Sequence, residues 1–341
     1  MDFSQTIRER RTIRKFNASP VSQELVVALL NEAAELYESE GTPRWRCIYA
    51  GTPESRERLA GFMLGRMKES KLGKLIPSKM IDLYVKRVVD IPAHLIVVAE
   101  AATDRRQSDE NYAAASSVMQ TLQLLSWERG LGVLWDTEPV VQSESLFAGI
   151  GLREGDRFVG VLHMGYFDKA PKGRRRTPAE RKWTAISGSV QPSGPHAAVS
   201  ISEHDVLEVL NDAVWAPNDG MREPWRFIFV TGGGATGYPG ATIPGNAPAY
   251  LLVVAKEESD PHKREEDYAA VCCLIQNFEL LVKSKPWGVR RTRPEWIYDP
   301  QPCRLYGVEP GERIVAVLEL GGEEAHPTTK KAAPCEIRFE L

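Results

Sequence analysis

The chain has 341 residues, with 43 Lys and Arg against 46 Asp and Glu, and a net charge of -3. This balance gives no reason to expect a nucleic-acid surface, and no apolar run approaches the length that spans a membrane. The five cysteines lack the C-x-x-C spacing of a zinc site, so free thiols in a reducing compartment are expected. Since the first residues carry charges where a secretory signal needs an apolar core, we expect a soluble, cytoplasmic protein.

The first predicted elements surround a concentration of positive charge. Residues 2–9 are predicted to begin a short helix that ends in RRTIRKF, residues 10–16. Its arginines offer paired donors that match phosphate geometry, and Thr12 adds a hydroxyl donor. A solvated basic turn is the alternative. Ser22 is expected to cap a second helix that runs to about Tyr37.

The following elements alternate between short strands and helices. Strands are predicted at 45–50, 95–99 and 158–163, and helices at 53–88, divided at Pro77, and at 143–148. A second concentration of positive charge, GYFDKAPKGRRR, covers residues 165–176. It is either an anion site or the solvated head of a linker, because the residues after it are polar and rich in turn formers.

Residues 109–136 have a similar stretch 156 residues further along the chain; for example, Tyr112-Ala113-Ala114 is repeated as Tyr268-Ala269-Ala270. Its apolar positions recur at helical spacing, and the glycines at its end predict a helix followed by a stop. The strand-like run PAHLIVVAE, residues 92–100, returns as PAYLLVVAK, residues 248–256. Near the start of each copy the offset is 180, so the first copy carries 24 more residues between its first two strands.

A repeat this long indicates two fused copies of one domain, since the units of a solenoid are far shorter. We predict a first domain over residues 1–176, a linker over 177–199 and a shorter second domain over 200–341. The second copy is predicted to begin with a helix over 203–215 and to end in an edge strand over 336–340. It has no equivalent of RRTIRKF before its first helix.

Four motifs, distributed over the two copies, carry a family resemblance: RRTIRKF, then APNDGMREPWRF, then GLGVLW, then GYFDKAPKGR. In this order and spacing they resemble the flavin-dependent nitroreductase family. The resemblance implies an α+β fold in each copy, with a central, mainly antiparallel sheet flanked by helices. Members of that family are usually homodimers with FMN in the clefts between subunits. The chain is therefore expected to be a pseudo-dimer folded from one polypeptide, with its C-terminal strand crossing to the other copy's sheet.

The resemblance assigns the cofactor-binding residues unevenly to the two copies. The first copy is expected to supply the phosphate and ribityl ligands, which are Arg10, Arg11, Thr12, Arg14, Lys172 and Arg174. It is also expected to supply the stretch beside the flavin ring, Leu134, Trp135, Asp136 and Thr137. The second copy is expected to contribute a turn, Ala216, Pro217 and Asn218. The opposite cleft would have Leu36-Tyr37-Glu38 in place of the turn and no basic motif. We therefore expect one FMN per chain.

The expected function is that of an FMN-dependent NAD(P)H oxidoreductase, which reduces a nitroaromatic, quinone or similar small acceptor. No catalytic side chain or metal is assigned, because the flavin carries the chemistry; Arg14 is expected to stabilise the reduced flavin. The six histidines show no metal-ligand spacing. Trp135 either covers the flavin or fills the core.

Two other functions stay open at this point. A flavin-binding sensor or store with little turnover is favoured by Met221 and Glu223, which replace an Asn and a Gln of the family pattern. A scaffold without cofactor is the third interpretation. The sequence does not decide between NADH and NADPH. The expected partner is a small-molecule acceptor, without nucleic acid or membrane, for a chain that is expected to be monomeric.

Overall fold

The computed structural model describes residues 2–39, 41–69, 77–187, 201–231, 243, 247–322, 330–331 and 336–338. The chain falls into two units, each assembled from three segments. The leading unit comprises residues 9–36, 43–173 and 332–341, and the trailing unit comprises residues 1–8, 37–42 and 174–331. Each unit therefore combines one long stretch with two shorter segments from elsewhere in the chain.

The described elements largely follow the predicted order. The helices are α1 (Phe3–Glu9), α2 (Gln23–Glu35), α3 (Pro53–Glu69), α4 (Ser78–Val89), α5 (Arg105–Glu128), α6 (Glu144–Gly149), α7 (Glu203–Ala213), α8 (Pro261–Val282) and α9 (Pro300–Leu305). The strands are β1 (Glu38–Ser39), β2 (Trp45–Ala50), β3 (Ala93–Ala99), β4 (Leu131–Asp136), β5 (Arg157–Tyr166), β6 (Trp183–Ser187), β7 (Trp225–Thr231), β8 (Ala249–Lys256), β9 (Gly288–Thr292), β10 (Glu312–Gly321), β11 (Lys330–Lys331) and β12 (Glu336–Arg338).

The leading unit is built on a five-stranded sheet in the order β12-β2-β3-β5-β4. Its four longer strands pair antiparallel, whereas β12 pairs parallel to β2. β3 is buried at every position, because helices cover both faces of the sheet. On one face, apolar side chains of α3, α4 and α6 form a cluster with Ile48, Ile96 and Val161. The buried helix α5 packs against the sheet as well.

The trailing unit repeats this topology in a second five-stranded sheet, in the order β6-β7-β8-β10-β9. Here too the four longer strands pair antiparallel, and the edge strand β6 pairs parallel to β7. α8 packs against this sheet, and α7 packs against α8. The fold class predicted from the resemblance is therefore confirmed: the chain is α+β, with two sheets flanked by helices.

The two edge strands come from opposite ends of the second half of the chain, and only one of them was expected. β12 lies at the C-terminal end and joins the leading sheet, which confirms that the C-terminal strand pairs with the first copy's sheet. β6 lies within residues 177–199, where the polar composition predicted a linker, and it joins the trailing sheet. Residues 188–200 lie outside the described part, and the predicted domain boundaries stay a prediction.

Sequence reasoning missed β4 and β9, because their glycines were interpreted only as the stop of the preceding helix. α5 ends at Glu128, and Gly130 takes a left-handed φ of 70° in the turn that follows. Gly132 instead lies inside β4, where a Cβ would stand 2.6 Å from Ile13 Cγ1 and 2.8 Å from Phe167 Cδ1. This glycine is required by close packing rather than by a helix end.

An ion pair is buried at the edge of the leading unit. Arg46 Nη1 lies 2.8 Å from Asp156 Oδ2, and the two side chains are 1% and 0% exposed. Arg46 Nη2 also donates to the carbonyl of Gly151 at 3.1 Å. The Asp156 carboxylate accepts backbone N–H bonds from Ala101 at 2.9 Å and from Arg153 at 3.0 Å. Every charge of the pair is thus compensated within the unit.

The trailing unit contains the same pair at the equivalent positions. Arg226 donates to Glu312 through Nε at 2.7 Å and through Nη2 at 2.6 Å, and Nη2 also donates to the carbonyl of Gly307 at 2.6 Å. The Glu312 carboxylate accepts the backbone N–H of Glu309 at 2.9 Å. These side chains are 22% and 19% exposed. The two pairs share their chemistry and differ in burial.

Candidate functional site

The basic turn of residues 10–16 lies along the free edge of β4 in the leading unit. Thr12 forms a parallel bridge with Val133, and the backbone N–H of Ile13 donates to the Val133 carbonyl at 3.1 Å. The Ile13 side chain is 1% exposed and fills the space above Gly132. This packing fixes the basic turn beside the stretch of β4 that was predicted to run along a flavin ring.

The cationic side chains of this turn point in different directions. Arg10 is 6% exposed, and its Nη1 donates to Gln123 Oε1 of α5 at 3.4 Å, so it ties the turn to the unit's central helix. Arg11 is partly exposed, and its Nη1 donates to the carbonyl of Arg10 at 2.8 Å. Thr12 is partly exposed, and Arg14 is exposed. An anion at the surface of this turn would meet Arg11, Thr12 and Arg14 before Arg10.

The second basic segment returns to the first. The backbone N–H of Asn17 donates to the Tyr166 carbonyl at 2.8 Å, and Asn17 Nδ2 donates to Asp168 Oδ1 at 3.0 Å. Further along, a Cβ built on Gly173 would stand 2.3 Å from Nη2 of Arg11. The structure therefore brings Arg11 against the backbone beside Lys172, which is exposed. Arg174, which belongs to the trailing unit, is exposed too.

The predicted flavin-side stretch occupies the end of β4 and the residue after it. Leu134, Trp135, Asp136 and Thr137 are all partly exposed, whereas β4 begins with three buried residues. Trp135 Nε1 donates to the Val159 carbonyl at 3.0 Å, and a Cβ on the neighbouring glycine of β5, residue 160, would lie 2.4 Å from Nε1. The indole therefore packs on its own sheet.

A buried pair of histidines ends at this stretch. His94 of β3 and His163 of β5 are cross-strand partners, and their Nδ1 atoms lie 2.6 Å apart. His94 Nε2 lies 3.1 Å from the Val88 carbonyl, and His163 Nε2 lies 3.3 Å from Asp136 Oδ2. The pKa of His94 is well below its ordinary value of 6.5, mainly because the ring is buried and secondly because it faces His163. These contacts link a fully buried carbonyl to a partly exposed carboxylate.

Sequence reasoning did not find this pair, because it searched for histidine partners at helical or metal-ligand spacing. The available signal was different. His94 and His163 each interrupt an apolar run that predicts a buried strand. A polar side chain in such a run requires a buried partner.

In the trailing unit, the turn of Ala216, Pro217 and Asn218 is closed by its own hydrogen bonds. Asn218 Oδ1 accepts the backbone N–H of Glu223 at 3.1 Å, and Asn218 Nδ2 donates to the Ala216 carbonyl at 3.3 Å. Met221 and Glu223 have left-handed φ values of 60° and 46°. Such values are uncommon for residues other than glycine and are seen where the surroundings impose them.

Both departures from the family pattern bind the segment that follows residue 173. Glu223 is 6% exposed, and its Oε1 accepts the backbone N–H of Thr177 at 3.1 Å. Lys182 lies 3.7 Å from Glu223 Oε2 and also donates to its carbonyl. Burial lowers the pKa of Lys182, although Glu223 works in the opposite direction. The sulfur of Met221 contacts the guanidinium of Arg176. The two side chains thus anchor the start of β6.

Residues 36–38 correspond to that turn in the first copy, and side chains of the trailing unit contact Tyr37 and Glu38. Tyr37 is fully buried, with the guanidinium carbon of Arg291 4.6 Å from its ring centre. Arg291 Nη2 donates to the Glu38 carbonyl at 2.6 Å, and its Nη1 pairs with Glu279 at 2.7 Å. Lys283 lies 3.3 Å from the Glu38 carboxylate. Arg291 corresponds to Trp135 at the offset of 156 residues.

Across the described ranges, no group of three or more His, Cys, Asp or Glu side chains could hold a metal ion. Within the same ranges, no helix has the length and apolarity needed to cross a membrane.

Comparisons with known proteins agree on one family. The model of the nitroreductase family matches residues 7–166. A protein of Bacillus subtilis (strain 168), YfhC, whose name assigns it to the NAD(P)H nitroreductases, is 30% identical over 180 residues, which cover 53% of this chain and 92% of the relative. The crystal structure of a nitroreductase-like family protein from Bacillus cereus is 35% identical, with a TM-score of 0.50, and the match covers 55% of this chain and 97% of that one.

Proposed function

Because the chain belongs to the nitroreductase family, whose members are oxidoreductases, we propose that it binds FMN and uses NAD(P)H to reduce a nitroaromatic, quinone or similar small acceptor. The observation that carries this proposal is the meeting of the two basic segments in the leading unit, where Arg11 lies against Gly173. This unit holds almost all of the residues that the family model matches.

The residues at this meeting point fit the phosphate of FMN. A phosphate carries up to two negative charges and accepts bidentate hydrogen bonds from arginine. Arg11, Arg14 and Lys172 provide cationic donors, and Thr12 adds a hydroxyl. A side chain at Gly173 would occupy the place of the Arg11 guanidinium, so the glycine keeps that donor in position. We assign the phosphate to Arg11, Thr12, Arg14 and Lys172, and assign Arg10 to holding the turn.

The rest of the site is assigned by the same resemblance. Leu134, Trp135, Asp136 and Thr137 would lie beside the ring, and Arg14 would stabilise negative charge that develops on it. Bound FMN would supply the transfer of electrons between NAD(P)H and the acceptor. Arg174 is proposed as a further phosphate ligand from the first copy, and the turn of Ala216, Pro217 and Asn218 as the contribution of the second copy.

We propose one FMN per chain, in a protein that arose by fusion of two copies. The repeated sheet order supports the fusion. The single site is supported by the trailing unit, where Arg291 stands at the position of Trp135 and is held by Tyr37, Glu38 and Glu279. A strand end whose side chains are engaged in this way offers a flavin ring no open surface.

The test is the visible spectrum of the purified protein, with flavin quantified per chain after denaturation. We expect about one FMN, bleached rapidly by NADH or NADPH without oxygen and recovered on addition of a quinone or nitroaromatic. Arg14→Gln should weaken FMN binding, whereas Arg304→Gln, which removes an exposed arginine of α9, should not.

Three outcomes would contradict the proposal. A protein that stays colourless after soaking with excess FMN would contradict the proposed cofactor. Two flavins per chain would contradict the proposed single site. Bound flavin that NAD(P)H does not bleach would indicate a flavin store or sensor instead of an enzyme.

A further inference from the structure

The contacts of the buried histidines determine how many protons they carry. Three contacts run in series: Val88 O to His94 Nε2, His94 Nδ1 to His163 Nδ1, and His163 Nε2 to Asp136 Oδ2, at 3.1, 2.6 and 3.3 Å. Each joins two atoms that carry lone pairs unless one of them is protonated. Since a carbonyl and a carboxylate only accept, each contact needs one hydrogen between its two atoms.

The three contacts need one hydrogen more than the two neutral imidazoles supply. Two neutral imidazoles contribute one N–H each, and an ionised carboxylate contributes none. The first hydrogen belongs to His94 Nε2, which must donate to Val88. The second then comes from His163 Nδ1, which donates to the bare Nδ1 of His94. The third, between His163 Nε2 and Asp136, is a proton beyond those that the neutral rings supply.

The environment places this extra proton at the outer end of the series. The His94 side chain is fully buried, and its pKa is well below the ordinary value because burial and the facing His163 disfavour its charged form. His163 and Asp136 lie further out, with side chains 4% and 16% exposed. An imidazolium on His163 would face the carboxylate of Asp136, which compensates its charge.

Groups on the neighbouring helices complete this environment. Tyr84 of α4 lies near Asp136, and burial, followed by the charge of Asp136, raises the pKa of Tyr84 to about 12, so it stays neutral. Arg87 of α4 and Arg56 of α3 also act on this region. Arg56 donates to the carbonyls of Val89 and Ile91 at 2.8 and 3.2 Å, which directs it towards the end of α4.

The trailing unit shows that the sheet does not require a mobile proton here. At the offset of 156 residues, His94 becomes Tyr250 and His163 becomes Glu319, and these two are again cross-strand partners. Glu319 is bound by Arg290 through Nε at 3.0 Å and Nη2 at 2.7 Å. An arginine–carboxylate pair keeps its charges at all ordinary pH values. The protonatable arrangement is therefore a property of the leading unit.

We propose that His163 and Asp136 store one shared proton, and that Asp136 donates it to the acceptor during its reduction. This inference rests on the proposed function. NAD(P)H gives up two electrons and one proton as hydride, while a quinone takes two electrons and two protons to become a hydroquinone. The missing proton comes from Asp136 and is replaced from water through its exposed edge. His94 and His163 are positioning residues that keep this proton in place.

Asp136 is oriented for this role by a second hydrogen bond. Its Oδ1 accepts the backbone N–H of Glu138 at 2.9 Å, while Oδ2 faces His163. It also lies within the stretch of β4 that is assigned to the flavin side. A general acid in this position contributes roughly 10²- to 10⁴-fold to the rate of the step it serves.

The first test needs no flavin. The apoprotein is labelled with ¹⁵N-histidine and ¹³C-aspartate, and the ring and carboxyl signals are followed between about pH 5 and 9, with His94→Gln, His163→Gln and Asp136→Asn as assignment variants. We expect neutral His94 with its hydrogen on Nε2 throughout, and one shared proton on His163 and Asp136 at neutral pH. Neutral His163 beside ionised Asp136 at neutral pH would overturn the proposal.

The second test separates proton donation from binding. In the flavin-loaded protein, Asp136→Asn should slow reoxidation by a quinone about 10²-fold or more and abolish its pH dependence, and this loss should exceed any loss in the reduction by NAD(P)H. Glu138→Gln is the matched control, because its exposed side chain lies in the same segment. Equal losses in both half-reactions would overturn the donor role. A protein that binds no FMN would instead overturn the proposed function, and the NMR signals would still decide the shared proton.

Discussion

The twin ion pairs allow the effect of burial on electrostatic stability to be measured within one chain. We compare Asp156→Asn with Glu312→Gln, which each replace one carboxylate oxygen by an amide and change the volume little. Each substitution leaves an arginine, Arg46 or Arg226, with its backbone carbonyl partner but without its counter-charge. The two sites differ in how much water reaches them, and Asp156 in addition pairs with the exposed side chain of Arg153.

The exposures predict unequal losses. Arg46 and Asp156 are 1% and 0% exposed, so removing the carboxylate leaves a buried, uncompensated guanidinium, which costs about 3–5 kcal/mol of unfolding free energy. Arg226 and Glu312 are 22% and 19% exposed, and water can partly replace the lost partner. For this pair we expect a loss of about 1 kcal/mol.

Urea unfolding followed by circular dichroism measures both losses, and tryptophan fluorescence tests whether the two units unfold together. If they unfold in separate steps, each variant should shift the step of its own unit. Arg46→Met combined with Asp156→Asn should recover part of the stability, because the stranded charge is then removed. Equal losses for the two single variants, or a larger loss for Glu312→Gln, would refute the argument from burial.

Three further outcomes are expected. Gly173→Ala should displace the Arg11 guanidinium, because the added Cβ would clash with it. FMN binding, measured by calorimetric titration, should weaken about 10-fold or more, while the free energy of unfolding changes by no more than about 0.5 kcal/mol. Gly61→Ala is the control, because its Cβ would meet no atom within 4 Å. Gly132→Ala should lower stability by about 1–3 kcal/mol in thermal unfolding, because its Cβ would overlap a side chain of the basic turn; an unchanged midpoint would contradict this packing. The pKa of buried His94 is lowered, so below about pH 6.5 this side chain binds a proton in the unfolded chain but not in the folded one. The free energy of unfolding should therefore fall as pH falls, by up to about 1.4 kcal/mol per pH unit. His94→Gln should show a shallower dependence in urea titrations at pH 7.5, 6.5 and 5.5.

Much of the fold was predictable from the sequence, because local signals agreed with the final structure. Ser22 was expected to cap a helix, and its Oγ accepts the N–H of Leu25 at 3.2 Å. Pro77 was expected to divide a helical region, and α4 begins just after it. The sequence repeat also predicted that strands found in one half would have equivalents in the other. These signals depend on neighbouring residues, or on a comparison of the chain with itself.

The features that were missed depend on contacts between distant residues. The pairing of His94 with His163 results from the register of β3 and β5, which sequence spacing does not reveal. The hydrogen bond from Arg10 to Gln123 of α5 likewise joins residues that are far apart in the sequence. β4 was overlooked because Gly132 signals a stop locally, whereas its role is to admit Ile13. These features are set by tertiary packing, which local sequence signals do not reveal.

The origin of β12 restricts how this chain can be divided. A cut at residue 176 would keep β6 with its partner β7 but leave β12 on the second fragment, so the leading sheet would lack its strand beside β2. An open strand edge with unpaired backbone groups invites aggregation. Deleting the second repeat would remove β12 in the same way. The part of the chain that carries β12 therefore contributes to the leading sheet whatever it binds, and it cannot be discarded without opening that sheet beside β2.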